Sequence, residues 1–344
     1  MLKAIERGLL RSLKAAGILR LVRDSEWRRQ RLLILCYHSL ALHDEHQWRP
    51  AAFMPPEMFE QRLRMLREGN YNVLSLSEGL RRLYANELPP RSVVLTFDDG
   101  TYDFYKAAYP LLIKYGYPAT VYQTTYYVAH RRPVCNLVCS YILWRSRQKE
   151  TINAKALGLA QPLDLRTEAS RQKIADQLMQ NQTEEQKHRL VAQLAELLDF
   201  DYEELLTKRI LQLMNSAEIL ELSQNGIDFQ LHTHRHRAPR EPSLFRKEIH
   251  ENRESLRQIT GSSAQHFCYP LGVYGAEFLP WLQQEGIVSG TTCDAGLASR
   301  RSHSLLLPRF VDTSAKSPLE FEGWLGGVGA LLLKARGGPE RKAL

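Results

Sequence analysis

Two short stretches of the 344-residue chain hold side chains that could do chemistry together. The first is Thr96-Phe97-Asp98-Asp99-Gly100, two adjacent acids and a glycine directly after an apolar run. Neighbouring carboxylates can divide their labour, one gripping a cation while the other accepts a proton. The same pair could instead belong to a polar turn in which an Asp caps the next helix. The second stretch is His232-Thr233-His234-Arg235-His236, three imidazoles within five residues. Neutral His is the commonest nitrogen ligand for zinc-like ions, so a metal site is the favoured reading over a solvated basic turn. A His-Glu-x-x-His protease is excluded, because Thr233 stands where that motif needs its glutamate base. An Asp-His-His set drawn from both stretches would bind a divalent ion and leave positions open for water and substrate.

The elements that must position these stretches are legible in the apolar pattern. Residues 32–37 form a short apolar run ending at His38, as a buried strand would, and Ser92 to Phe97 form another. Between them, Glu57 to Gly69 and Ser77 to Leu83 carry helical spacing, and Tyr71 to Leu76 reads as a strand. Tyr105 to Tyr115 then predicts a helix, and Ala119 to Gln123 a strand. This strand-then-helix alternation implies an α/β fold with a parallel sheet, whose chemistry collects at the carboxyl ends of the strands. Both stretches fall at such ends. From about 135 to 215 the chain turns to charged helix formers (Arg171 to Met179, Glu184 to Leu198, Tyr202 to Met214), which predicts a helical insertion. Later come helices at Ala217 to Ser223 and Leu244 to Thr260. The remaining strands fall at Gly226 to Leu231, His266 to Tyr269, Ile287 to Thr291 and Leu305 to Phe310.

An apolar share of 44% and a charged share of 24% exclude disorder, collagen-like structure and a multi-span membrane protein. The formal charge of +8 is concentrated at the start, where Lys3, Arg7, Arg11, Lys14, Arg20, Arg23, Arg28, Arg29 and Arg31 alternate with leucines and isoleucines. Residues 1–30 therefore read as a basic amphipathic helix suited to an anionic membrane surface, or to the protein's own core. The run is too short to span a bilayer and carries no signal-peptide cleavage pattern, so the expected location is cytoplasmic, peripheral on the inner face of the membrane. Five cysteines without framework spacing read as reduced thiols, with Cys135 and Cys139 as core residues. Nucleic acid is excluded as a partner by the lack of base-reading or stacking motifs. Residues 321–344 read as a Leu/Gly-rich tail.

With these stretches in order, the chain resembles the polysaccharide deacetylases, the family with the NodB-homology domain (carbohydrate esterase family 4). Beyond TFDDG at 96–100 and His232-Thr233-x-x-His236, the likeness runs through Leu35-Cys36-Tyr37-His38, Ala119-Thr120-Val121, Phe267-Cys268-Tyr269-Pro270-Leu271-Gly272 and Leu307-Pro308-Arg309. It implies a distorted (β/α) barrel over residues 31–320, interrupted by the helical insertion. Asp98 matches the family's general base, and Asp99, His232 and His236 match its metal ligands, leaving His234 without a role. His38 matches the general acid, ahead of the alternative His303. Tyr269, Pro270 and Leu271 match the motif that shapes the substrate groove and offers an oxyanion contact. The sequence departs from the commoner pattern at Cys268, where an Arg usually steadies the base, and Arg309 is the candidate to replace it. The implied cofactor is a divalent metal, zinc first, with cobalt, nickel or manganese also suited to that donor set. The implied substrate is an N-acetylated glycan. An O-acetyl esterase and a non-catalytic glycan-binding protein are the other readings.

Overall fold

Strand β1, Arg31–Tyr37, is buried along nearly its whole length, as a strand covered on both faces must be. Its side chains alternate: Leu33, Leu35 and Tyr37 join the core formed with Phe59, Leu63 and Leu66 of the helix Pro56–Glu68. Leu32 and Ile34 point the other way, packing with Val94, Tyr122, Cys268 and Leu307 inside the sheet's curve. The helix Leu76–Ala85 joins that inner layer through Leu76, Leu80 and Leu83. A Cβ on Gly79 would come within 2.9 Å of Val94, so the glycine permits this close approach.

The computed structural model describes residues 2–335 apart from 129–132, 150–152, 154, 159–161 and 163. The further strands of the main sheet are β2 (Asn72–Leu74), β3 (Ser92–Asp99), β4 (Thr120–Gln123), β5 (Asp228–Leu231), β6 (His266–Cys268), β7 (Ser289–Thr291), β8 (Ala298–Ser299) and β9 (Phe310–Val311). The sheet runs β8-β1-β3-β4-β5-β6-β7, with β2 also on β3 and β9 also on β1. All these pairings are parallel except β1 with β8. Leu307 bridges Thr291 at the end of β7, while Phe310, three residues on, pairs with Leu35 of β1. Residues 307–311 thus join the two margins of the curled sheet into a distorted (β/α) barrel.

Several elements differ from the sequence expectation for identifiable reasons. The expected helix at Tyr105 to Tyr115 opens with a π-turn, Phe104–Ala108, before the α-helix Tyr109–Tyr115. Pro110 lacks the N–H that a continuous α-helix would bond to the carbonyl four residues back, and the wider turn accommodates this loss. The helix expected from Tyr202 to Met214 stops at Thr207, because Arg209 and Leu211 take left-handed conformations. The released backbone then bonds elsewhere: Val134 N–H to Leu211 O, Tyr102 N–H to Gln212 O and Met214 N–H to Gly100 O.

The helices Cys135–Arg145, Glu168–Met179, Glu184–Leu197 and Tyr202–Thr207 share a core of their own, built from Val138, Ile142, Leu178, Leu194 and Leu198. The leading segment breaks at Gly17 and Ser25 into three helices, Leu2–Ala15, Ile18–Arg23 and Glu26–Arg29. Leu10 and Leu19 are buried against Val328, and Arg7 and Lys14 pair with Glu320 and Glu322. The expected tail is helical over Pro318–Gly326 and Val328–Ala335, with Phe321, Trp324 and Leu325 buried; 336–344 lie outside the described residues. No helix among the described residues is long and apolar enough to cross a membrane.

Candidate active site

The acidic pair sits at the carboxyl end of β3, where the strand's alternation sends its two carboxylates to different neighbours. Asp98 follows Thr96 on the inner face and is almost wholly buried. Arg309, fully buried, grips it with two bonds of 2.7 Å, Nη1 to Oδ1 and Nη2 to Oδ2. The guanidinium is itself fixed by Nε donating to Thr292 O at 2.9 Å and Nη1 to Thr96 Oγ1 at 3.2 Å. Burial alone would raise the Asp98 carboxyl, but the charge and hydrogen bonds of Arg309 outweigh it and hold the group well below the usual carboxylate range.

Two thiols complete the surroundings of Asp98. Cys36 Sγ lies 3.6 Å and Cys268 Sγ 3.5 Å from its Oδ2, and Arg309 Nη2 donates to Cys268 Sγ at 3.1 Å. Burial pushes both thiols well above the ordinary cysteine range, so they stay neutral and can donate. Sequence reasoning read Cys268 only as a missing arginine and gave Cys36 no part. The strand period held the signal, since Cys36 and His38 are two residues apart and share a face. His38 stands at the rim, its Nε2 3.9 Å from Asp98 Oδ2 and its side chain 28% exposed.

Asp99 turns away into a left-handed conformation, followed by Gly100 in the same region. A Cβ on Gly100 would fall 1.9 Å from Gln123 Oε1, so this turn requires glycine. The turn brings Asp99 Oδ1 to 3.3 Å from His232 Nε2 and 3.2 Å from His236 Nε2.

His232 is locked from behind. Its Nδ1 lies 2.9 Å from Cys268 O, a bond that needs the Nδ1–H tautomer and turns the Nε2 lone pair outward. Its backbone N–H donates to Asn252 Oδ1, and Asn252 Nδ2 donates in turn to Gln123 O and Thr125 Oγ1. Thr233 and His236 both have positive φ, strain concentrated at the turn that presents the two imidazoles. Glu248, buried on the helix Pro242–Thr260, holds this turn by accepting from Arg235 N–H at 2.8 Å and Arg237 Nε at 2.7 Å. His234 points elsewhere, its Nδ1 2.8 Å from Thr125 Oγ1.

These residues fit a divalent cation. Asp99 Oδ1 is buried without a hydrogen-bond partner in spite of the two nearby imidazole nitrogens. Donor atoms about 3.3 Å apart match the edges of a tetrahedron with metal bonds of about 2.0–2.1 Å. The three donors lie within 4.8 Å of one another.

A sequence-family comparison decides the lineage. The model of the polysaccharide deacetylase family matches residues 85–184 and 198–289, more than half of the chain and both chemical stretches. The protein belongs to the polysaccharide deacetylase family. Within it, the chain is 32% identical over 102 residues to Bacillus subtilis YxkH, named as a polysaccharide deacetylase; the match spans 29% of this chain and 34% of that relative's length. Two solved structures share the fold. The Streptococcus pyogenes deacetylase PplD, solved with acetate, superposes with a TM-score of 0.56 at 23% identity, covering 84% of this chain and 95% of its own. IcaB from Ammonifex degensii gives 0.53 at 16%, covering 87% and 97%.

The third stretch of the chain is narrower in its options than the sequence implies. Tyr269 is buried, its hydroxyl donating to Leu305 O and its backbone N–H to Thr291 O. Pro270 has no N–H. Leu271, with φ of 58° and its side chain 78% exposed, is left as the donor of the three. His303 is remote from the acids, because it follows the Ser299–Ser302 turn, which pairs with Arg31 at the start of β1, the opposite end of the barrel.

Proposed function

We propose that the protein is a metal-dependent hydrolase that removes N-acetyl groups from amino sugars of a polysaccharide or lipid-linked glycan. The observation that carries this reading is the orphaned Asp99 Oδ1 facing His232 Nε2 and His236 Nε2, one residue from a carboxylate clamped by Arg309. Asp99, His232 and His236 would hold the ion, with zinc the first choice for two nitrogens and one oxygen. Held by these three residues, such an ion would supply a water whose pKa is lowered from about 15.7 towards 7 and a Lewis acid for the acetyl carbonyl.

The chain's own groups supply the rest. Asp98 accepts the proton of the attacking water, and Arg309 fixes its carboxylate plane while keeping it ionised. A base so strongly stabilised as its anion is weak, so the transfer depends on an acidified water and on fixed geometry. Leu271 N–H is the backbone donor for the developing oxyanion. His38, at the rim beside Asp98, protonates the departing nitrogen. The acid and the base are then separate residues.

Residues 1–30 supply contact with an anionic membrane surface. Leu10 and Leu19 are taken up by the protein's own core, but Leu9, Ile18 and Leu21 are exposed, Leu21 by 71%, among Arg11, Arg20 and Arg29. A lipid-linked glycan handled at the cytoplasmic face is the substrate that this contact favours.

The test is acetate release across N-acetylated and O-acetylated glycans, before and after chelation. Chelator-sensitive release from N-acetylated glycans supports the proposal. Release from O-acetylated glycans alone makes the protein an esterase, and no release from either sinks the catalytic reading.

A further inference from the structure

The end of the barrel remote from the acids holds a cluster of charge that the hydrolytic site does not use. β1 starts at Arg31, which faces Ser299 across the antiparallel pairing with β8. The chain turns at once, Ser302 N–H donating to Ser299 O at 2.8 Å and Ser299 N–H to Ser302 Oγ at 3.0 Å. Tyr84 pins the turn from the neighbouring helix by donating to Ser302 O at 3.0 Å. The geometry sets Arg300 and Arg301 beside Arg31. All three line one cavity of about 640 Å³, together with Gln30, Asn86 and Ser299.

No carboxylate lines this cavity among the described residues; the one beside it, Glu26, accepts from Gln30 Nε2 at 3.1 Å and pairs with none of the three arginines. Elsewhere most buried or half-buried arginines have such a partner, as Arg62 has Asp312 and Arg253 has Glu285. Arg31 is held in place without an acid: its guanidinium lies 4.2 Å over the Trp27 ring, and Nη1 donates to Trp27 O. Burial, and then the charge of Arg301, push the Arg31 guanidinium below its ordinary range. Like charges crowded around a polar hollow leave electrostatic free energy that an anion would recover.

We infer that this cavity is a binding site for a phosphoryl oxyanion, recognised by the guanidinium groups of Arg31, Arg300 and Arg301 with Asn86 and Ser299 as neutral donors, while the amide of Gln30 is taken up by Glu26. Three guanidiniums match the several oxygens and multiple charge of a phosphoryl group, whereas one would serve a carboxylate. β1 spans seven residues from Arg31 to the edge of the catalytic end, on the order of 20 Å, so the ligand is not the acetylated sugar being cut. The phosphoryl group of a lipid headgroup and that of a soluble phosphate share this chemistry.

Calorimetric titration of the full chain with inorganic pyrophosphate at low ionic strength tests the site, using Arg300→Gln/Arg301→Gln and a charge control, Arg64→Gln/Lys106→Gln. Both pairs are exposed, so folding should survive, and thermal melting checks it. The expected result is a saturable site weakened at least about tenfold by the first pair and less than about threefold by the control. A parallel sedimentation with phosphatidylglycerol vesicles separates the sources. Vesicle binding that the first pair weakens and the control does not assigns the phosphoryl group to lipid; pyrophosphate binding with vesicle binding unaffected by the first pair assigns it to a soluble phosphate. Equal weakening by the two pairs, or no saturable binding of either probe, overturns the inference. Acetate release should be unchanged in the first pair, so this outcome is independent of the hydrolytic site.

Discussion

The two ends of the barrel bury arginine in opposite ways. At the catalytic end, Arg309 meets a carboxylate with two short bonds, and its pKa is driven well above the ordinary value by Asp98 against the cost of burial. At the other end, Arg28 is equally buried but meets only carbonyls, donating to Leu325 O, Arg31 O and Ser92 O, and burial lowers its pKa to about 10. Carbonyl groups satisfy a guanidinium's hydrogen bonds without neutralising it, which ties chain segments together. A carboxylate neutralises it and is itself fixed and kept ionised, which prepares a reactive group. One end is a fastener, and the other is a site.

The contrast is broken most severely by Arg309→Met. It leaves Asp98 buried without its counter-charge, and stability measured by urea denaturation should fall by about 3–5 kcal/mol. Adding Asp98→Asn to that variant should recover much of the stability but none of the activity. Little loss in the single variant would show that Asp98 does not need the pair. The sign for pH follows from the depressed carboxyl: its contribution is present above the unfolded carboxylate pKa of about 3.9 and is lost as the pH falls through the lower folded value.

Asp98→Asn alone should cut turnover on the order of a hundredfold or more while metal content, read by plasma emission, stays near wild type. Retained turnover would remove Asp98 as the base. Arg28→Met should act on stability only, by about 1–3 kcal/mol for the carbonyls it strands, with acetate release per folded molecule unchanged. A fall in specific activity there would mean that the two ends are coupled.

A further effect, read as a slope with pH, concerns Asp103, which accepts Leu40 N–H at 2.7 Å and whose pKa burial raises to about 7. A raised folded pKa makes the native state bind more protons than the unfolded chain, so wild-type stability should decline as pH rises from about 4 to about 7. Asp103→Asn should flatten that slope in denaturation curves. An unchanged slope would place its source elsewhere.

Much of this was legible in the residues because it rests on local rules. The apolar run into His38, the acids after 92–97 and the imidazoles after 227–231 sit at strand ends that period and composition mark. The parallel sheet followed from alternation, and the roles of the site residues from the family resemblance that the ordered motifs carry. What the sequence hid depends on tertiary contact. Nothing local says that the thiols of Cys36 and Cys268 converge on Asp98 from two strands, or that Asn252 anchors His232 from twenty residues away. The helix ending at Thr207 was over-read for the same reason: the left-handed turns at Arg209 and Leu211 serve bonds to Gly100 and Tyr102 that periodicity cannot see. The leading basic segment shows the converse, since its amphipathic pattern serves an intramolecular core and an exposed leucine face together.

The most direct measurement is zinc titration of chelator-treated protein by calorimetry, in the wild type and in Asp99→Ala/His236→Ala. One equivalent bound by the wild type and lost in the double variant is the predicted result. Undiminished stoichiometric binding by the double variant would contradict the assignment of these residues as the grip on the ion.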